Sequence, residues 1–354
     1  DSKKVGHNPG ASTAFYYQRL RVRTDFIVTP GLTLVTRFDA MERAWGAPRY
    51  PTTFAKYASG TTGPLNGLTT APLDTGSAGT RAENENIAID WVYINYKSPI
   101  GTFDVGYMND GSTGTIFGNS AAPAPRIKYS RSFGPATLNL AYTKVNDGER
   151  STLNGVAGYT DADNDKYGVE GVYSWKGGRA GLNVNYYNYA KTRPLATPAD
   201  AGSFKSTYYL FTPYAIAKIG PVTLQTELNY LYGDKKYEDG VTVTGTSIDR
   251  VHLRGLSAWI DATADLKMFY IGGSLAYVSG DDPGTRDKNE GQTVSGGLDW
   301  NPCLIMFNSD RAYWAGNLAG YAGTTANGNA FNNGYLAQLR GGVRPVNDLD
   351  VMAS

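Results

Sequence analysis

The sequence predicts an all-β fold: a transmembrane antiparallel β-barrel of about 16 strands, of which 14 are visible in this chain. Three observations predict it. Apolar and polar residues alternate over stretches of about 9–15 residues, the period of a strand with two unlike faces. Tight Gly/Pro turns alternate with long Gly-, Thr- and Asn-rich connections, as they do in barrels that cross a membrane. The composition, finally, suits neither an ordinary soluble domain nor a helical membrane protein.

Charged residues make up 18% of the 354 positions, against roughly 25% in an average soluble domain. The 43 Gly and 26 Tyr are a strand-and-turn complement rather than a helical one. The longest purely apolar run, Cys303-Leu304-Ile305-Met306-Phe307, is far short of the ~20 residues a spanning helix needs. A barrel strand needs only every second residue apolar, so a mean hydropathy of -0.37 fits a membrane strand protein. With 33 basic and 32 acidic side chains the chain lacks the basic excess of a nucleic-acid binder. A single cysteine, Cys303, excludes a disulfide framework and a Cys-based zinc site. Two histidines, His7 and His252, leave little material for a metal or acid–base centre. The start, Asp1-Ser2-Lys3-Lys4, has no signal-peptide character and reads as a mature or trimmed product.

The elements follow in order. In 18–28 the odd positions are Arg19, Arg21, Arg23 and Asp25, and the even ones Leu20, Val22, Thr24, Phe26 and Val28. After the turn Thr29-Pro30-Gly31, segment 32–43 sets Leu32, Leu34, Thr36, Phe38 and Ala40 against Thr33, Val35, Arg37 and Asp39. A helix would need apolar positions three and four apart, and these do not recur. The same reading gives paired strands 86–98 and 102–109 about Pro99-Ile100-Gly101, and 125–132 and 136–146 about Gly134-Pro135. It gives 166–176 and 179–192 about Gly177-Gly178, and 205–219 and 222–234 about Gly220-Pro221. The last pairs are 250–264 with 268–279 about Asp265-Leu266, and 334–344 with 349–354 about Pro345-Val346-Asn347-Asp348. Segments 46–83, 110–124, 147–164, 193–204, 235–249 and 280–333 are the long connections. Soluble sandwiches have strands of ~5–6 residues, and a β-solenoid would show a short fixed repeat.

The whole chain, 1–354, reads as one barrel domain. Its first strand runs into a short turn, and its last segment stops after a few residues. One strand missing at each end would give sixteen. Direct pairing of the first and last strands would instead close a barrel of fourteen.

The segments Tyr17-Gln18-Arg19-Leu20-Arg21, Arg37-Phe38-Asp39-Ala40-Met41-Glu42 and Gly101-Thr102-Phe103-Asp104-Val105-Gly106 resemble the Gram-negative outer-membrane porins. Asp299-Trp300-Asn301-Pro302-Cys303, followed by Tyr313-Trp314-Ala315-Gly316-Asn317, is similar to porin-like and alginate-export-like barrels of environmental proteobacteria. The resemblance implies a barrel in the outer membrane, in contact with its lipid, commonly as a homotrimer. It names no substrate.

The face opposite the apolar one should line a water-filled lumen. Its candidate pore-lining residues are the bases Arg19, Arg21, Arg23, Arg37, Lys128, Arg250, Arg254, Arg340 and Arg344 and the acids Asp39, Asp104, Glu170 and Glu227. Charges stay hydrated there, whereas Arg or Lys facing lipid costs ~2–4 kcal/mol at mid-membrane. Such a wall either screens solutes by charge or is a solvated surface that selects nothing. Tyr16, Trp45, Trp91, Tyr107, Tyr142, Tyr173, Trp175, Tyr232 and Tyr277 are candidates for interfacial girdles. The apolar content of 280–333 predicts an ordered loop, partly inserted in the mouth, with a lid over it or an extra hairpin as the alternatives, and Cys303 as a small buried residue.

Asp161, Asp163 and Asp165 imitate the first half of a calcium loop but lack its Gly and its closing Glu, so a solvated acidic tip is the expectation. His252 has no triad partners at useful spacing. No enzyme activity and no cofactor are expected. The function expected is passive diffusion of small hydrophilic solutes, with a preference for anions set by the arginines of 18–28. The rival is a structural barrel that sheaths a partner such as a cytochrome or an export machine. A lumen of fourteen to sixteen strands suits solutes better.

Overall fold

A computed structural model describes residues 17–44, 88–109, 114–118, 123–146, 163–190, 204–237, 249–292, 300, 333–346 and 348–353. The strands are β1 (Tyr17–Thr29), β2 (Leu32–Ala44), β3 (Ala88–Ser98), β4 (Gly101–Met108), β5 (Ala124–Phe133), β6 (Ala136–Asn146), β7 (Asn164–Trp175) and β8 (Gly178–Ala190). They continue with β9 (Phe204–Ile219), β10 (Val222–Tyr237), β11 (Arg250–Leu253), β12 (Leu256–Leu266), β13 (Phe269–Val278), β14 (Lys288–Asn289), β15 (Gly334–Val346) and β16 (Leu349–Ala353). The described residues contain no helix. All sixteen strands belong to one sheet. Its fourteen principal strands follow in chain order, and their registers are antiparallel.

Two short strands lie off this path and were not anticipated. The expected strand 250–264 breaks at Arg254-Gly255 into β11 and β12, both still in register with β10. At the break, residues 279–292 fold back. The Ser279 hydroxyl accepts from the Leu256 amide (2.9 Å) and donates to the Glu290 carbonyl (2.6 Å). The amides of His252 and Arg254 donate to the carbonyls of Asp287 (2.7 Å) and Asn289 (2.9 Å). This return satisfies the backbone of β11 with the two-residue parallel strand β14. The turn between β12 and β13 sits at Lys267-Met268, two residues later than expected.

The chain divides into two compact units. One comprises the described residues up to Tyr96 together with Gly106–Met108; the other comprises Lys97–Val105 and the described residues from Asn109 onward. In the second unit the register sorts side chains onto two unlike faces. One carries Val169, Leu228, Ile260, Leu275 and Leu339, all exposed. The other carries Asn183, Thr212, Asn229, Ser257 and Asp261, all buried. Leu339 is 82% exposed while Glu227 is 2% exposed, the reverse of a water-soluble sheet. The first unit repeats the pattern, with Val92, Ile94 and Tyr96 exposed and Val35 and Asp39 buried.

A belt of tyrosines crosses the apolar face of β6–β10. Ring centroids of Tyr142 and Tyr167 are 5.3 Å apart, those of Tyr167 and Tyr186 6.2 Å, and those of Tyr186 and Tyr209 5.0 Å. Tyr232 continues the row opposite Tyr209. Near the short turns, Tyr173 pairs with Trp175 at 6.4 Å. Trp91 departs from the expected girdle. It sits opposite Arg37 on the polar face, with the guanidinium 3.4 Å from its ring centroid. Tyr16 and Trp45 lie outside the described residues.

Candidate functional site

The most constrained place on the polar face of the second unit is Glu227, in the middle of β10. Its carboxylate accepts from the Thr115 amide (2.6 Å), the Thr115 hydroxyl (2.8 Å) and the Asn229 side-chain amide (2.8 Å). A carboxylate this buried is tolerated only with such partners. Thr115 belongs to the short segment Gly114–Gly118, part of the long connection after β4. The segment is laid across β10 and β12 like a strap. A Cβ on Gly118 would lie 1.9 Å from a Glu227 oxygen, and one on Gly114 2.5 Å from the other. Only glycine allows so close an approach at these two positions.

Phe117 anchors the same strap. It is fully buried, stacked at 5.9 Å on Trp259 and edge-on at 5.1 Å to Trp300, beside Ala276 and Val278. The strap is thus held by a charged hydrogen-bond set at one end and an aromatic cluster at the other. The sequence pointed to 280–333 as the inserted loop. A strap is drawn from 110–124 as well, and Trp300 of 280–333 packs on it. Cys303 and the other apolar residues of that connection lie outside the described residues.

Around the strap the polar face is a connected lattice. Glu170 accepts from Asn139 (2.8 Å) and from the Tyr214 hydroxyl (2.8 Å). Thr212 donates to Asn229 (2.7 Å), which bonds Glu227 in turn. Further along the sheet Arg340 holds Asp261 through both terminal nitrogens (2.7 and 2.8 Å) and also donates to Thr263. Arg344 bridges Asp265 (3.1 Å) and Asp350 (3.2 Å). Lys128 lies on the same face, in register with Ala141. Asp104 does too, since its neighbours Phe103 and Val105 take the apolar side.

In the first unit the arginines of β1 and β2 meet carboxylates. Arg21 donates to Asp39 (2.6 Å), Arg23 to Asp25 (3.0 Å), and Arg37 to Asp90. A register shift between Arg37 and Phe38 marks a bulge that leaves Asp90 without a strand partner, beside Arg37. Asp90 was not among the expected pore-lining residues. Arg19 is exposed.

Two pore-lining expectations are corrected. Arg250 and Arg254 fall on the face of Tyr230 and Tyr232, because the register from Tyr230↔Leu256 to Gly233↔Leu253 continues without a shift. Arg254 lies over the Tyr232 ring (3.9 Å) and donates to the Gly233 and Leu253 carbonyls (2.7 Å each). Two of the three calcium candidates have another partner. Asp163 and Asp165 both bind the Lys144 ammonium, which stands where a cation would. Among the described residues no group of acidic, His or Cys side chains could hold a metal, and Asp161 lies outside them. His252 is paired with Asp234 (2.7 Å), and His7 is also outside the described residues.

No protein-family model matches the chain, and no curated protein matches it. Solved structures similar to it are outer-membrane proteins. OmpF of Salmonella typhi, in a complex with daunomycin, is 13% identical over 81% of this chain and 79% of that one, with a TM-score of 0.40. The anion-selective porin of Comamonas acidovorans is 16% identical over 77% and 85%, with a TM-score of 0.32. OmpT of Vibrio cholerae, folded in vitro, is 10% identical over 74% and 79%, with a TM-score of 0.34.

Proposed function

We propose that the sheet closes into an outer-membrane barrel that acts as a diffusion channel for small hydrophilic solutes, with a preference for anions. The observation that carries the reading is the inversion of the two faces. Exposed Leu, Ile, Val and Tyr suit lipid, and a lattice of Asn, Thr, Glu and Arg suits water. Lipid would not tolerate the polar lattice, and water alone would not favour the apolar face.

The strap supplies the narrowing. Residues 114–118 occupy space on the polar side that a bare sheet would leave to water, and their double attachment makes the narrowing permanent. The sign preference follows from the distribution of charge. On the polar face of β5–β8 stand Arg126, Lys128, Lys166 and Arg179, against the single carboxylate of Glu170. Charges that line a passage select by sign, and salt weakens the selection. The test is planar-bilayer recording of the purified full chain across a salt gradient. Discrete conductance steps with an anion-side reversal potential are expected. Absence of steps from folded, inserted protein overturns the channel, and a cation-side potential overturns the sign.

A further inference from the structure

The short turns of the second unit fall into two groups of unlike charge. Around the four turns that lead into β4, β6, β8 and β10, segments 97–102, 131–137, 174–179 and 217–223 carry Lys97, Arg131, Lys176, Arg179 and Lys218 and no carboxylate. The turns after β12 and β15 are balanced instead. There Arg344 bridges Asp265 and Asp350, and Lys267 and Asp348 stand in the same turns.

Lys97, Lys176 and Lys218 are exposed, and among the described residues none of the three has a side-chain hydrogen bond or ion pair. Arg131 lies over the ring of Phe133 (5.1 Å) and Arg179 over that of Tyr214 (6.0 Å), and neither ring supplies a countercharge. Glu170 and Glu227 sit further along their strands and are bonded into the wall already described. Asp104 is likewise set back from its turn. The cations keep fixed places, because neighbouring turns are joined through their backbones. The Lys218 amide donates to the Gly177 carbonyl (2.6 Å), and the Ser174 amide to that of Pro135 (2.9 Å). Lys218 lies opposite Thr223, on the face of Glu227, and Arg179 shares the face of Asn183 and Asn185. Lys97 alternates with the exposed Tyr96. This rim therefore belongs to the polar side of the sheet. From β4 to β9 there are five inter-strand steps, about 24 Å at ~4.8 Å each.

We propose that the rim docks an acidic polypeptide segment of a partner on the periplasmic side, with Lys97, Lys176 and Lys218 as its direct contacts and Arg179 adding to the field behind them. Short turns of a membrane barrel face the periplasm. An extended chain covers the arc with about seven residues at ~3.3 Å each. Its carboxylates meet the ammonium groups with charge-assisted hydrogen bonds. Lys176 and Lys218, held close by the Gly177 contact, then lose their mutual repulsion. A small anion reaches one or two of these cations, whereas one chain attached at several points loses its freedom once. That is why a polypeptide is the ligand. The site rests on the reading that the polar face meets water at the short-turn end, and not on conduction.

The test is fluorescence anisotropy on the full chain in detergent. The probes are a labelled peptide of alternating Glu and Ser long enough to cover the arc, the same peptide with Gln for Glu, and polygalacturonate as a competing carboxylated polysaccharide. The Glu peptide should bind about tenfold more tightly than the Gln peptide or better, and salt near 1 M should erase the difference. Lys97→Gln/Lys176→Gln/Lys218→Gln should abolish the preference. Lys205→Gln/Lys236→Gln/Arg250→Gln removes the same charge from the opposite ends of β9–β11 and should keep it. If the first triple variant misfolds, Lys176→Gln/Lys218→Gln should still reduce the preference severalfold. Equal binding of the two peptides, or an unchanged preference in the rim variants, overturns the site. So does displacement of the peptide by polygalacturonate at an equal carboxylate concentration. Bilayer recordings on the same preparations separate the two readings: charge-dependent binding without conductance steps sinks the channel and leaves the rim standing, and steps without binding do the reverse.

Discussion

Thr115 donates two hydrogen bonds to one oxygen of Glu227 across 112 residues of sequence, from its amide at 2.6 Å and its hydroxyl at 2.8 Å. With Asn229 as third donor, the carboxylate is satisfied only while the strap is docked. Glu227→Gln points an amide nitrogen at one of these donors, at a cost of about 1–3 kcal/mol. The expected result is a larger and noisier single-channel conductance. Gly118→Ala should reproduce it from the other partner, since its Cβ would overlap the Glu227 carboxylate.

Phe117→Ala attacks the aromatic end of the strap. The ring is wholly buried between Trp259 and Trp300, and truncating such a side chain costs about 3–5 kcal/mol. Trp259 and Trp300 should become hydrated, with a red shift in tryptophan emission and a rise in conductance. An unshifted spectrum would show that the cluster closes without Phe117.

Arg19→Gln/Arg21→Gln/Arg23→Gln should move the reversal potential toward cations. Asp39 and Asp25 lose their partners, so the wall of β1 and β2 turns negative. The Arg23–Asp25 pair is exposed and contributes little, about 0–1 kcal/mol, whereas loss of Arg21 takes a partner from the buried Asp39 and should cost more, so folding of the variant is checked first. The shift should shrink as salt rises from 0.1 to 1 M, roughly as the Debye length falls from about 10 to 3 Å. Selectivity unchanged at low salt would reduce these arginines to a solvated wall.

The two faces should respond oppositely to the same charge. Leu275→Arg places a guanidinium on the exposed apolar face and should cost about 2–4 kcal/mol if that position lies near the bilayer centre. Asn139→Arg, beside Glu170 on the polar face, should cost little. Reversible unfolding from lipid vesicles measures both. Equal costs would contradict the assignment of faces.

Much of this architecture was legible because a strand announces itself locally. Alternation and the Gly/Pro turns located the principal hairpins. What escaped depends on single-residue steps or on distant partners. A bulge of one residue at Asp90 brings both Asp90 and Trp91 to Arg37, which no strict alternation allows. Over 250–254 the alternation is clean but misleading: Arg250, His252 and Arg254 stand against Val251 and Leu253, yet the even positions share a face with Leu256 and Tyr232. Glu227 read as one more lining acid, because Thr115 is over a hundred positions away. The signal that could have found the strap is Gly114-Thr115-Ile116-Phe117-Gly118, two apolar residues between glycines in an otherwise polar connection.

The strap also imposes an order on how the molecule matures. Residues 114–118 precede β10 and β12 in the chain, yet dock only on the surface that those two strands form together. Contacts so remote in sequence form late, because the intervening chain must first be ordered. The sheet from β5 to β12 is therefore assembled before the strap settles, and the passage is at its widest while the molecule is youngest. In the proposed channel the narrowing is the last feature the fold acquires, and docking of Phe117 is the event that fixes it.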